Sequence, residues 1–143
     1  MKKKVISLFL MLAMLLGVSG AASAVEMRAS RYLDDYYVSL IAKGNGQMAV
    51  VVSINGVGKQ DKIGVREISI DHKTSANANW TYYDSLYGSD HPEFYLYDSR
   101  SYDEEIYFDG VPGEIYRVTI TAYAKTGSGS DTGHVTSTSV TCK

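Results

Sequence analysis

Three histidines, His72, His91 and His134, are the side chains best suited to acid–base chemistry or to binding a metal ion. They lie at least 19 positions apart, each at a predicted strand end or in a loop. The HExxH and paired CxxC motifs that place zinc ligands are absent from the sequence, and so is the nucleophile elbow of serine hydrolases. We therefore interpret the histidines as surface residues and predict that the protein is not an enzyme.

Two acidic stretches, residues 98–105 (DSRSYDEE) and 127–131 (GSGSD), offer oxygen atoms of the kind that calcium prefers. Their spacing matches no EF-hand, and Arg100 stands inside the first stretch. Solvated charge beside an edge strand is the interpretation that we favour, and calcium binding is kept as the alternative hypothesis. No other cofactor is predicted.

Aromatic residues are concentrated in one part of the chain. Exposed aromatic rings can stack on sugars, and tyrosine is enriched at protein interfaces, although a high strand propensity would also explain them. The candidate ligand-binding residues are Trp80, Tyr83, Tyr87, Tyr95 and Tyr97. Their predicted partner is a glycan or a protein.

The N-terminus is typical of a secretory signal peptide. Three lysines at positions 2–4 precede an apolar run over residues 5–18, and small residues follow at 22–24. We predict cleavage between Ala24 and Val25, a signal peptide at 1–24 and one domain at 25–143. The apolar run is shorter than the roughly 20 residues of a membrane-spanning helix. The predicted location is therefore outside the cell or in its envelope, with no membrane insertion after cleavage.

The predicted mature chain is acidic. It keeps 11 of the 14 Lys and Arg and all 16 Asp and Glu, a formal charge of −5. Nucleic-acid binding needs grouped cations, and we find no basic cluster, so we exclude nucleic acid as a partner. Cys142 is the only cysteine, which excludes an internal disulfide and leaves open a bond between two chains.

The elements that would position these residues are β-strands. Short β-branched and aromatic runs recur between Gly-, Asn- and Ser-rich punctuation, a pattern typical of sandwiches and barrels. The glycines at 44–46 predict a hairpin turn between the first two strands. Residues 88–100 and 126–133 are expected to be connections, the first with an edge segment at most. Seven strands are predicted at residues 32–42, 47–55, 63–71, 79–87, 104–111, 115–125 and 134–142.

Residues 115–125 alternate strictly, with an apolar set at Tyr116, Val118, Ile120, Ala122 and Ala124. Successive side chains of a strand point to opposite faces, so this set should face the core. A buried tyrosine hydroxyl needs a partner. We predict that Tyr116 forms a tyrosine corner, in which the hydroxyl bonds to the backbone a few residues upstream.

The stretch GVPGEIYRVTITAYAKTGSGSD, residues 110–131, resembles the end of fibronectin type III-like and immunoglobulin-like domains. The resemblance implies an all-β fold, an antiparallel β-sandwich of about seven strands, with a recognition loop at 127–133. The layout is also similar to that of small secreted proteins of Gram-positive bacteria. We predict an exported, non-catalytic binding or structural module. The alternative is a carbohydrate-binding module that uses exposed aromatic residues.

Overall fold

A computed structural model describes residues 30–143. The predicted signal peptide and the cleavage site between Ala24 and Val25 lie outside the described residues. The described part is all-β, as predicted, with seven antiparallel strands in one curled sheet, one short 3-10 turn and no α-helix. The strands are β1 (Leu33–Gly44), β2 (Gln47–Lys73), β3 (Thr81–Tyr87), β4 (Tyr95–Asp109), β5 (Ile115–Thr126), β6 (Gly129–Thr136) and β7 (Val140–Thr141).

Strand β2 is one continuous strand of 27 residues, where two strands at 47–55 and 63–71 were predicted. Its first half pairs with β1 on one edge, and its second half pairs with β5. Strand β4 pairs with both halves, and the register shifts by three residues between Asn55 and Gln60. The chain bends at this shift while β4 holds both halves together. The bend curls the sheet.

Two predicted connections are strands. Residues 95–100 belong to β4, which begins directly after the 3-10 turn Pro92–Phe94. This part of β4 pairs with residues 60–64 of β2. Residues 129–133 begin β6, which leaves only Gly127 and Ser128 between its pairing and that of β5. The predicted last strand, 134–142, is divided between the end of β6 and the two-residue β7.

The hairpin between β1 and β2 turns at Asn45 and Gly46, which have φ angles of 53° and 79°. A two-residue turn with two positive φ angles matches the right-handed twist of the strands, and Asn-Gly is its preferred sequence. The glycine-rich turn predicted between these strands is confirmed.

The core lies between the two halves of the curled sheet. Strand β1 lies over β6 without pairing to it. The contact is close, because a methyl group at Gly133 of β6 would overlap the Tyr36 ring of β1. The five inward residues predicted on β5 are confirmed, because none of their surface is exposed. The largest buried side chains are Tyr102, Tyr116, Phe94, Met48, Ile54, Ile63, Ile68, Ile70, Ile120, Val50, Val52 and Val65.

Candidate functional site

Tyr116 fills one end of the core, and its hydroxyl makes the upstream contact expected of a tyrosine corner. The backbone N–H of Val111 donates to it at 2.8 Å, and it donates to Glu114 at 3.2 Å. Its ring meets the Tyr83 ring edge-on, with centroids 5.1 Å apart, and lies 5.7 Å from the Phe108 ring. Burial raises the pKa of Tyr116, so the phenol stays protonated. The corner therefore joins β5 to the turn before it.

Tyr83 belongs to this corner and not to an exposed aromatic surface. It is the extra residue of a bulge in β3, where Asp84 pairs with Ile70 and Tyr82 pairs with Asp71. The bulge turns the ring toward the core, and the hydroxyl donates to the carbonyl of Asp109 at 2.8 Å. Two of the five candidate aromatic residues, Tyr83 and Tyr95, pack against the core, and Tyr83 is the one that joins the corner.

The corner also holds a histidine–carboxylate pair, His72 with Glu114, at 2.7 Å between Nδ1 and Oε2. Both side chains are about one-fifth exposed, at 22% and 19%. Such a pair would orient a general base, but a base needs a nucleophile or an acid nearby. Cys142 is buried, and burial and the Glu114 carboxylate raise its pKa, the opposite of an activated thiolate. The pair links β2 to the turn before β5.

The other two histidines lie elsewhere. His91 stacks on Phe94 at a centroid distance of 4.7 Å, and His134 contacts the Thr121 hydroxyl at 3.1 Å on the opposite side of the sheet from the core. Across residues 30–143, no three His, Cys, Asp or Glu side chains group in a way that could hold a metal ion.

The acidic stretches considered for calcium are used in contacts between strands. Asp98 and Glu105 pair with Lys59 and Lys43, each at 2.8 Å. Asp131 accepts bonds from the Ser30 hydroxyl and from two backbone N–H groups of the segment that precedes β1. These carboxylates point to different partners and do not converge.

The outer side of β3, of the second half of β2, of the start of β4, of β5 and of β6 carries a continuous polar and aromatic surface, which we call the display face. Directly paired residues of a sheet share a face, so the outward residues of β5 identify their neighbours. Rows run from Ser69 through Thr119 to Thr136, and from Glu67 through Thr121 to His134. The display face comprises Lys62, Arg66, Glu67, Ser69, Asp71, Lys73, Trp80, Tyr82, Ser85, Tyr87, Tyr95, Tyr97, Arg117, Thr119, Thr121, Tyr123, Lys125, Ser130, Thr132, His134 and Thr136.

One end of the display face is built around Trp80, just before β3. The Arg117 guanidinium lies 4.3 Å from the ring centroid, and the Lys73 ammonium lies 4.8 Å from it. Arg117 also pairs with Asp71 at 3.2 Å. Tyr82, which pairs with Asp71, is 64% exposed. It was not among the sequence candidates, although it stands two positions from Trp80.

The other end is a cluster of three tyrosines with cations between them. The Lys62 ammonium lies 3.9 Å from the Tyr95 ring centroid and 5.8 Å from that of Tyr97. Tyr123 meets Tyr95 edge-on at 6.1 Å, and the Arg66 guanidinium lies 5.6 Å from its ring. Burial raises the pKa of Tyr95. Tyr123 was missed as a candidate, although its place in the outward set of β5 was the available signal.

The structure therefore brings Trp80, Tyr87, Tyr95 and Tyr97 to one face of the sheet and separates Tyr83 from them. The recognition loop implied at 127–133 is not a loop, because its residues form a tight hairpin and the start of β6. That correction leaves the display face as the candidate functional site.

Comparisons with protein-family models, with curated proteins and with solved structures gave no match. The similarity to fibronectin type III-like and immunoglobulin-like domains thus remains a resemblance of sequence pattern. Residues 30–143 contain no helix with the length and apolar character needed to cross a bilayer.

Proposed function

We propose that the protein is an exported, non-catalytic binding module that acts at the cell surface or outside the cell, and that it binds a glycan on the display face. One observation carries the proposal. Tyr97, Tyr82 and Tyr87 are 66%, 64% and 45% exposed on the side of the sheet that faces away from a filled core. Aromatic side chains gain about 1.5–3 kcal/mol from burial, which a ligand on this face would supply.

The fold that we propose is a fibronectin type III-like or immunoglobulin-like β-sandwich. The two halves of the curled sheet enclose one core, and Tyr116 supports the turn before β5 in the manner of a tyrosine corner. In this interpretation the ligand lies on a sheet face and not on the loops at the ends of the sandwich.

The arrangement of the display face favours a sugar chain. Aromatic rings stand at both ends, and the hydroxyls of Thr119, Thr121 and Thr136 lie between them. From Arg117 to Tyr123 the face extends about 20 Å, at roughly 3.4 Å per residue. Rings can stack on the apolar faces of sugars, and hydroxyls can bond to sugar hydroxyls between the rings. A surface of this length suits an extended polymer.

Affinity electrophoresis against a panel of polysaccharides, with titrations followed by Trp80 fluorescence, tests the proposal. We expect at least one polysaccharide to bind, and Tyr97→Ala and Tyr123→Ala each to weaken binding about tenfold or more. The matched controls are Tyr37→Ala and Tyr107→Ala, because these tyrosines are 57% and 49% exposed on the opposite face. A panel without any binder, or equal losses in all four variants, would contradict glycan binding on this face.

A second candidate function is protein binding through the opposite side of the sheet, which we call the β1–β4 face. There Ile41 and Tyr107 flank the fully buried Ala49 in one row, and Tyr37 lies nearby. Self-association through this face is the form that can be tested without knowing a partner. Sedimentation of the wild type and of Ile41→Glu decides it, since only an interface there would make the variant more monomeric.

A further inference from the structure

The two faces of the sheet carry opposite formal charge. The display face has a formal charge of +3, from five cations and two anions: Lys62, Arg66, Lys73, Arg117 and Lys125, with Glu67 and Asp71. On the β1–β4 face Lys43 stands against Asp35, Asp103, Glu105 and Asp109, a balance of −3. An acidic protein thus presents a basic surface where its aromatic residues are.

The uncompensated charge lies at the tyrosine end of the display face. At the tryptophan end, Arg117 pairs with Asp71, and the Lys73 ammonium donates to the carbonyl of Ala76 at 3.0 Å. At the tyrosine end, no carboxylate within residues 30–143 comes within 4.0 Å of the charged groups of Lys62, Arg66 or Lys125. Within the described residues, these three cations contact tyrosine rings or solvent and form no ion pair.

From these observations we infer that the ligand of the display face is an acidic polysaccharide whose carboxylate-bearing sugars lie on the cluster of Lys62, Arg66, Tyr95, Tyr97, Tyr123 and Lys125. The inference rests on the proposed function and names its ligand class. A uronic acid combines a ring that can stack on tyrosine with a carboxylate beside the ring.

The cluster offers a partner to each part of such a sugar. The exposed Tyr97 ring supplies a stacking surface, and Lys62 lies close to both Tyr95 and Tyr97. A guanidinium binds a carboxylate through two parallel N–H donors, the geometry that Arg66 can supply beside Tyr123. Ser130 and Thr132, which carry hydroxyls, pair in register with Lys125 and Tyr123 within the same surface.

A carboxylated sugar chain explains the cluster better than duplex nucleic acid does. Surfaces that bind a duplex contact several consecutive phosphates with grouped Lys and Arg, whereas here three cations share one end of the face with three tyrosines. Single-stranded nucleic acid also uses aromatic rings beside cations, and its binding is therefore one of the outcomes tested below.

The decisive measurement compares one polymer in charged and neutral form, polygalacturonate and its fully methyl-esterified counterpart. We expect the protein to bind the acid form about tenfold more tightly or better at about 50 mM NaCl, and the difference to shrink at about 500 mM. Lys62→Gln and Arg66→Gln should each remove most of the preference. Lys43→Gln, on the β1–β4 face, is the matched control, and thermal unfolding of every variant verifies that it is folded.

The outcomes separate this inference from the proposed function. Equal binding of the acid and the ester, lost in Tyr97→Ala and Tyr123→Ala, would overturn the acidic ligand and leave a neutral glycan module. If single-stranded poly(dT) or anionic vesicles bound as tightly as polygalacturonate, the inference would be overturned too, because the protein would then recognise negative charge and not the sugar. Binding of no glycan at all would remove both proposals.

Discussion

The backbone N–H of Val111 donates a hydrogen bond of 2.8 Å to the hydroxyl of Tyr116, five residues later in the chain. The bond closes the turn before β5 and fixes the start of the strand that carries the centre of both the core and the display face. The same hydroxyl donates to Glu114, which in turn contacts His72 of β2.

Replacing Tyr116 with phenylalanine should lower the free energy of unfolding by about 1–2 kcal/mol, because the Val111 N–H and the Glu114 carboxylate each lose a partner. Urea denaturation measures the change. Tyr123→Phe, on the display face, is the matched control and should stay within about 0.5 kcal/mol of the wild type. If the two variants were equally stable, the corner would contribute nothing.

Neighbouring residues of β5 should respond very differently to truncation. Ile120 is fully buried, and Ile120→Ala should cost about 2–5 kcal/mol through lost apolar contact and the cavity that remains. Thr119 lies on the display face and shares a hydroxyl contact with Thr136, so Thr119→Ala should cost less than about 1 kcal/mol. Thermal or urea unfolding of both variants tests the register, since a shift of one residue would exchange the two results.

The local sequence pattern was sufficient to predict the structure where one face of a strand is buried and the other is exposed to solvent. The alternation over residues 115–125 predicted the inward set of β5, and Asn45 and Gly46 predicted the first hairpin turn. In both places the determining interactions are between residues close in sequence, or follow from the two-residue period of a strand.

The continuity of β2 could not be predicted, because distant residues hold its bend. Residues 56–62 contain two glycines and a polar run, which are ordinary loop signals. In the fold, the buried Gln60 amide donates to the carbonyls of Val57 and Gly58 and accepts from the Thr126 hydroxyl at 2.7 Å. Thr126 is 66 positions away, so no local pattern contains this contact.

The candidate site was predictable only in part for a similar reason. Trp80, Tyr87, Tyr95 and Tyr97 share one face because β3 and β4 both lie beside β2 in the sheet. Tyr83 turns inward because a bulge inserts it between the pairs of Asp84 and Tyr82, and strict alternation does not foresee a bulge.

Gly64 forms the floor of the tyrosine cluster, between Tyr95 on β4 and Tyr123 on β5. A methyl group there would overlap the backbone carbonyl of Phe94, which cannot move independently of the sheet. Gly64→Ala should therefore destabilise the protein by about 3 kcal/mol. A methyl group at Gly113 would meet open space, and the only strain comes from the positive φ of 92°. Gly113→Ala should therefore lower the free energy of unfolding by about 1 kcal/mol. Comparable losses in urea denaturation would show that Gly64 is not a site of close approach.

Asp131 on β6 should make the stability of the protein depend on pH in the acid range. Its carboxylate accepts bonds from the Ser30 hydroxyl and from the N–H groups of Tyr32 and Arg31, and these bonds hold its pKa below the ordinary value of 3.8. A depressed native pKa stabilises the fold above the unfolded-state value, and this contribution is lost as the pH falls through the native value.

Asp131→Asn should therefore be less stable than the wild type by about 1 kcal/mol near pH 7, with the effect limited by solvent exposure. The difference in free energy of unfolding between wild type and variant should stay constant down to about pH 5. It should close as the pH falls below about 4, because the wild-type carboxylate is then protonated and, like the amide, carries no charge. Urea unfolding across this range measures both curves, and Asp103→Asn, which removes a single bond from Ser53, should show a smaller gap at pH 7. A gap for Asp131→Asn that persists unchanged at pH 2 would mean that the ionised carboxylate is not what anchors the segment before β1.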